Sequence, residues 1–210
     1  MSVAVVRFPG SLDHDSAVRA VHGLGGTAEL AWHDDRALPA GTTAVVIPGG
    51  FSYGDHLRPG AIASRSPIMR AVVDHANAGG LVLGICNGFQ VLCEAGLLPG
   101  ALRPNATLSF VCRQVTLEVS DGGTPFTETA SGPLSIPIKN HDGAWYGDPD
   151  RARVVLRYQG ENPLGAVDRV AGVANEAGNV MGLMPHPEEA VDPLLGSVDG
   201  CVLFRPLVAA

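Results

Sequence analysis

Cys86 lies in Gly84-Ile85-Cys86-Asn87-Gly88, directly after the apolar run Leu81-Val82-Leu83. A nucleophile with glycine two residues away on either side fits a strand-to-helix elbow, a sharp turn that exposes the reactive side chain. The glycines leave room for that turn. A helix that starts just after the cysteine favours a thiolate through its N-terminal dipole. The backbone N–H of Asn87 is then placed to donate to an oxyanion. The chemistry predicted is nucleophilic attack on an acyl carbon. A free cysteine taken at random is more often a packing residue. Cys93, Cys112 and Cys201 lack the flanking pattern and are read as packing.

A cysteine nucleophile needs a base, and the base needs an orienting partner. Seven histidines are available. His186 has the best context, Met184-Pro185-His186-Pro187-Glu188, after the apolar run Val180–Met184. In open parallel sheets the C-terminal strand ends carry the ligand crevice. The two prolines hold the stretch extended. Residues two apart then share a side, so Glu188 can approach the His186 ring and fix its tautomer. A purely structural histidine–carboxylate pair would look the same, and the cysteine elbow decides between the readings. His141, in Asn140-His141-Asp142-Gly143, is the second candidate base. Gly49, Gly50 and Phe51 follow a valine-rich strand and either aim N–H groups at an anion or form only a tight turn. Arg58 suits a carboxylate or plain solvent. No CxxC, HxH or HxxxH spacing occurs, so no metal is expected.

These residues must be positioned by a scaffold. Val3–Phe8, Leu81–Ile85 and Val180–Met184 read as buried strands, and Thr27–Trp32 and Ala44–Pro48 as two further strands. Asp13–Gly25, Ser66–Ala78 and Asn87–Ala95 carry apolar residues at helical spacing. Alternation of the two predicts an α/β fold with a mostly parallel, doubly wound central sheet flanked by helices. From Thr107 to Arg157 the pattern changes to short strands with turn residues, among them Val111–Val119 and Ser135–Lys139. This predicts a small antiparallel extension of the same sheet, within a single domain spanning 1–210. Pro193–Leu207 is read as a helix returning to the body.

Composition narrows the classes. Hydrophobic residues make up 46 % of the 210 and the formal net charge is −7, with Lys139 the only lysine. No basic cluster is available to neutralise phosphates or to bind an anionic membrane. Leu81–Leu102 is apolar, but Asn87, Gln90, Glu94, glycines and Pro99 break it, which argues for a strand and helix over a membrane span. Met1–Gly10 lacks the apolar core of a signal peptide. Four cysteines without a pairing framework suggest reduced thiols in a cytosol.

Three strings carry a resemblance: PGGFSYGDHLRPGAIA (Pro48–Ala63), GICNGFQVLCEAGLLPGAL (Gly84–Leu102) and AGVANEAGNVMGLMPHPEEAVDPLLGSVDG (Ala171–Gly200). With Phe110-Val111-Cys112-Arg113, they resemble class I glutamine amidotransferases of flavodoxin-like fold, and within these the glutaminase subunits of phosphoribosylformylglycinamidine synthase. The resemblance implies a Cys86–His186–Glu188 triad that hydrolyses L-glutamine through a glutamyl thioester. Gly50, Phe51 and Asn87 match oxyanion and substrate-loop positions, and Gln90 a glutamine-contacting one. Ammonia would pass to a large synthetase subunit holding ATP and magnesium, bridged by a small third subunit. Glu189 stands where the family usually has a cation, and the loop at His141 also departs from its pattern. A glutaminase serving another synthase, a free-standing cysteine hydrolase and a non-catalytic binding module remain as alternatives.

Overall fold

In the computed structural model, which describes residues 2–209, Val3 to Val6 are fully buried. An unbroken apolar run of this kind is what a parallel strand covered on both faces requires. Met1 and Ala210, the ends of the expected domain, lie outside the described residues. The first half alternates as expected: β1 (Ser2–Arg7), α1 (His14–Gly23), β2 (Thr27–Trp32), β3 (Thr42–Ile47), α2 (Pro67–Asn77), β4 (Leu81–Ile85) and α3 (Asn87–Glu94). Pro67 opens α2, where its missing N–H costs nothing. The second half adds β5 (Ala101–Arg103), β6 (Val111–Val119), β7 (Leu134–Asn140), β8 (Ala144–Tyr146), β9 (Arg153–Tyr158), β10 (Val170–Ala174), β11 (Val180–Leu183) and α4 (Cys201–Ala209).

One nine-stranded sheet runs β2-β1-β3-β4-β11-β10-β9-β6-β7, and β5 pairs with β8 in a separate two-stranded ladder. The pairings from β2 through β4 to β11 are parallel. Those from β11 through β10, β9 and β6 to β7 are antiparallel. The expected antiparallel extension is thus β10, β9, β6 and β7. β10 (VAGVA) gave no strand signal because its alanines and glycine do not alternate with polar residues. It is buried throughout, and at Gly172 an added Cβ would lie 2.9 Å from the Gly182 carbonyl oxygen and 3.0 Å from Leu183 Cβ.

The expected helix over Pro193–Leu207 is corrected. Pro193–Leu195 is a single 3₁₀ turn, capped by the Asp192 side chain and ended by Gly196 in the left-handed region. Helix resumes only at Cys201. Cys112, expected to pack, is exposed. Among the described residues no helix is long and apolar enough to cross a membrane.

Candidate active site

Four loops leave the C-terminal ends of β1, β3, β4 and β11 on one edge of the parallel sheet, and each delivers part of the site. Cys86 follows β4 with φ 50° and ψ −104°, a conformation that side-chain-bearing residues avoid and that marks a strained elbow. The flanking glycines are sterically required. A Cβ at Gly84 would lie 2.5 Å from Leu92 Cδ1 and 2.7 Å from the Gly88 carbonyl oxygen. A Cβ at Gly88 would run into the carbonyl oxygen of Ile47. The elbow leads directly into α3, whose first N–H groups have no partner within the helix.

His186 follows β11 and is 1 % exposed. Its Nδ1 lies 2.7 Å from Glu188 Oε1, and Glu188 is itself 2 % exposed. The expected extended backbone is corrected: Pro187–Glu189 forms a single 3₁₀ turn, with Glu189 N–H donating to the His186 carbonyl at 3.1 Å, and it is this turn that brings Glu188 to the ring. Nε2 of His186 is buried, and its ring lines the same cavity as Cys86, whose thiol is its hydrogen-bonding neighbour. Burial alone would lower the pKa of His186. Glu188 and Cys86 outweigh it and raise the value to about 10. A base of that strength beside a thiol is suited to take its proton. The Cys86 sulfur lies 4.0 Å from the Lys139 carbonyl oxygen.

The turn after β3 supplies anion donors selectively. Phe51 N–H donates to the Gly10 carbonyl at 2.9 Å and is occupied. Gly50 N–H finds no acceptor among the described residues. Gly50 has φ 144°, and a Cβ there would meet Gly10 and Leu12 backbone atoms at 2.6 Å. Gly50 and Asn87 are thus the free donors, while Phe51 presents its half-exposed ring to the cavity. Gly49 gives way to the base: a Cβ there would lie 2.7 Å from His186 Cε1. Gln90 lines the cavity, donates to the Asp142 carbonyl at 2.5 Å and accepts from Asn87 Nδ2 at 2.9 Å.

Residues 1–199 match the model of the CobB/CobQ-like glutamine amidotransferase domain. The chain belongs to this glutamine amidotransferase family. It is 50 % identical to phosphoribosylformylglycinamidine synthase subunit PurQ of Wolinella succinogenes, with 99 % of each chain covered. Identity to the subunit of the same name from Frankia casuarinae is 49 %, over 99 % of this chain and 93 % of that one. A chain in the structure of PurLQS from Thermotoga maritima superposes with a TM-score of 0.93 at 42 % identity, covering 99 % of this chain and 97 % of that one.

The amidotransferase also carries an ion network that its sequence did not announce. Lys139, at the end of β7, donates to Asp13 Oδ1 at 2.7 Å and to Glu189 Oε1 at 3.0 Å. Burial opposes the charge on Lys139, but the two carboxylates outweigh it and raise its pKa. Asp13 Oδ2 lies 3.6 Å from His186 Nδ1, a second carboxylate behind the base. Ser16 donates to Glu189 at 3.0 Å. Asp13, His186 and Glu188 bring possible ligand atoms within 4.8 Å of one another. Lys139 neutralises Asp13, and Glu188 holds His186 Nδ1, an arrangement that orients the imidazole. Only one hint was available, that the sole lysine lies in a strand whose alternate residues are buried.

β7 is last in the sheet order, yet its end reaches the active site: His186 N–H donates to the Pro137 carbonyl at 2.8 Å. The antiparallel strands therefore turn back over the edge of the parallel half. They bring Asn140, His141 and Asp142 to the cavity wall. His141, the second candidate base, is half-exposed and pairs with Asp142 at 2.9 Å. Arg58 is held by Glu94, its Nε 2.6 Å from Oε1, and so is not free for a substrate carboxylate. Burial, with a smaller contribution from Glu94, pushes the Cys93 thiol pKa up and leaves it protonated.

Proposed function

We propose that this chain is the glutaminase subunit of a phosphoribosylformylglycinamidine synthase. The observation that carries the reading is the buried His186–Glu188 pair facing the strained Cys86 elbow in one cavity. The Cys86 sulfur attacks the carboxamide carbon of L-glutamine. A C–S bond forms and the carbonyl electron pair moves to oxygen, where the N–H groups of Gly50 and Asn87 receive it. His186, having taken the thiol proton, passes it to the amide nitrogen as the C–N bond breaks. Ammonia leaves and a glutamyl thioester remains. Water, giving a proton to His186, then attacks the thioester, the C–S bond breaks, and glutamate departs with Cys86 restored. Glu188 keeps the imidazole in the tautomer these steps need.

Relatives named PurQ at about half identity over the whole chain support the assignment to this synthase. The likeness to a chain of the PurLQS assembly supports docking on a large synthetase subunit, with a small third subunit alongside. That large subunit would hold ATP and magnesium and convert formylglycinamide ribonucleotide to the amidine with the ammonia delivered. The chain functions as one domain without a cofactor of its own. Its cysteines are free and its nucleophile must stay reduced, which supports a cytoplasmic setting.

The test is product formation by the reconstituted complex with glutamine or ammonium chloride as nitrogen source. Cys86→Ala should abolish the glutamine reaction and leave the ammonium reaction intact. Glutamine-dependent synthesis by that variant would remove Cys86 from the mechanism. Loss of both reactions in a complex that still assembles would contradict the division of labour.

A further inference from the structure

The cavity of about 150 Å³ beside Cys86 contains one carboxylate with no cation to answer it. Of the other two carboxylates lining it, Asp13 is neutralised by Lys139, and Asp142 hydrogen-bonds His141, a cation only when protonated. Asp55 has none of these. Its hydrogen bond is a long one, 3.4 Å from Asn87 Nδ2. It lies within a run of left-handed backbone, with Tyr53, Gly54, Asp55 and Leu57 all at positive φ. Three of these residues carry side chains and make that conformation costly, so the surrounding structure enforces it.

Asp55 is also tied to the reacting group. Asn87, the residue after Cys86, reaches Asp55 with its side-chain nitrogen and holds Gln90 Oε1 with the same atom. Gln90 in turn fixes the Asp142 carbonyl. Asp55 and Asp142 thus share one wall of the cavity, and their mutual repulsion adds to burial of Asp55, raising its pKa to about 6. The Cys86 thiol and the His186 ring line the same cavity as Asp55. A molecule that places an amide at Cys86 and a cation at Asp55 would satisfy both ends. An amino acid with a side-chain carboxamide has that form.

We propose that Asp55 receives the α-ammonium group of glutamine, with Asp142 adding to the negative field beside it. This rests on the glutaminase reading and extends it to the choice of substrate. The contact would be made in the ground state and in the transition state alike, so its loss should appear in KM more than in kcat. A charge-assisted hydrogen bond of this kind is worth about 10- to 100-fold in affinity.

The experiment compares L-glutamine with glutaramate, which keeps the carboxamide and carboxylate but lacks the amino group, in the assembled complex. The wild-type complex should favour L-glutamine by about 10- to 100-fold in kcat/KM. Asp55→Asn should raise the KM for L-glutamine and erase most of that preference, and Asp55→Glu should restore part of it. Iodoacetamide, which has no ammonium group, should alkylate Cys86 in Asp55→Asn at close to the wild-type rate. A wild-type complex that treats the two amides alike would overturn the inference without any variant. So would an Asp55→Asn complex with an unchanged preference. Failure of the glutaminase reading itself would look different, since the wild-type complex would then release no glutamate from glutamine at all.

Discussion

The two halves of the sheet meet at one cavity and contribute in different ways. The parallel half delivers its groups through short loops at adjacent strand ends: Gly50 after β3, Cys86 after β4 and His186 after β11. Each is aimed by its immediate neighbours, and the steric limits at Gly50, Gly84 and Gly88 are tight. The antiparallel half delivers Lys139, His141 and Asp142 from the strand farthest along the sheet order. These arrive only because the sheet turns back on itself. On the proposed mechanism, the parallel half holds the groups that make and break bonds. The antiparallel half supplies charge around them and closes the cavity wall.

That division can be broken from either side. Glu188→Gln acts on the parallel half and should lower glutamine turnover by about 10²-fold, less than Cys86→Ala. The orienter works through His186, and Asp13 at 3.6 Å remains as a second carboxylate. Unchanged turnover in Glu188→Gln would remove Glu188 from the mechanism and leave Asp13 as the orienting group.

Lys139→Ala sharpens the comparison from the antiparallel side. It leaves Asp13 and Glu189 facing each other without their shared cation. The site is partly open, so a loss of about 1–2 kcal/mol in a denaturant titration is expected, smaller than for a fully buried pair. Turnover should fall by about tenfold as the freed Asp13 shifts against His186. A variant with full activity and full stability would reduce the network to surface decoration.

The smallest effect concerns the open carboxylate. Asp55 has a folded pKa of about 6 against a usual value of 3.8. A carboxylate raised in this way binds its proton more tightly in the folded chain. It destabilises the fold above pH 6 and stops doing so below the unfolded value, where both states are protonated. Asp55→Asn should therefore stabilise the free chain at pH 7 by about 1 kcal/mol, after allowance for partial exposure. The gain over wild type should shrink on acidification through pH 6 to 4 and disappear below. A variant less stable than wild type at pH 7 would show that Asp55 makes a favourable contact in the empty site.

The same two halves differ in how well the sequence announces them. Cys86 could be read directly, because an elbow needs glycines at fixed offsets; His186 and Glu188 were rightly paired, but through a 3₁₀ turn at Pro187–Glu189 and not through the extended chain expected. β1, β3 and β4 were readable because burial on both faces requires an apolar run, whereas β2 is a mostly exposed edge strand. β10 was not readable, since a strand of alanine, valine and glycine carries no period. The turn at Gly49–Phe51 was half legible: its glycines mark an anion-binding bend, but only the fold shows that Phe51 N–H is already spent on Gly10. Asp13 and Lys139 lie 126 residues apart, and no local pattern could have paired them. Asp55 was visible as a residue after the glycine turn, whereas its lack of a cation is a property of the whole cavity.

The account stands or falls on which sulfur reacts. A glutamine analogue carrying an electrophile at the carboxamide position, followed by peptide mapping, reads this directly. It should label Cys86 and spare Cys93, Cys112 and Cys201. The most telling contrast is with Cys112, which is exposed and open to any non-specific reagent. Selective labelling of Cys86, lost in Cys86→Ala, is the predicted result. Label on Cys112 or another cysteine with Cys86 untouched would contradict it.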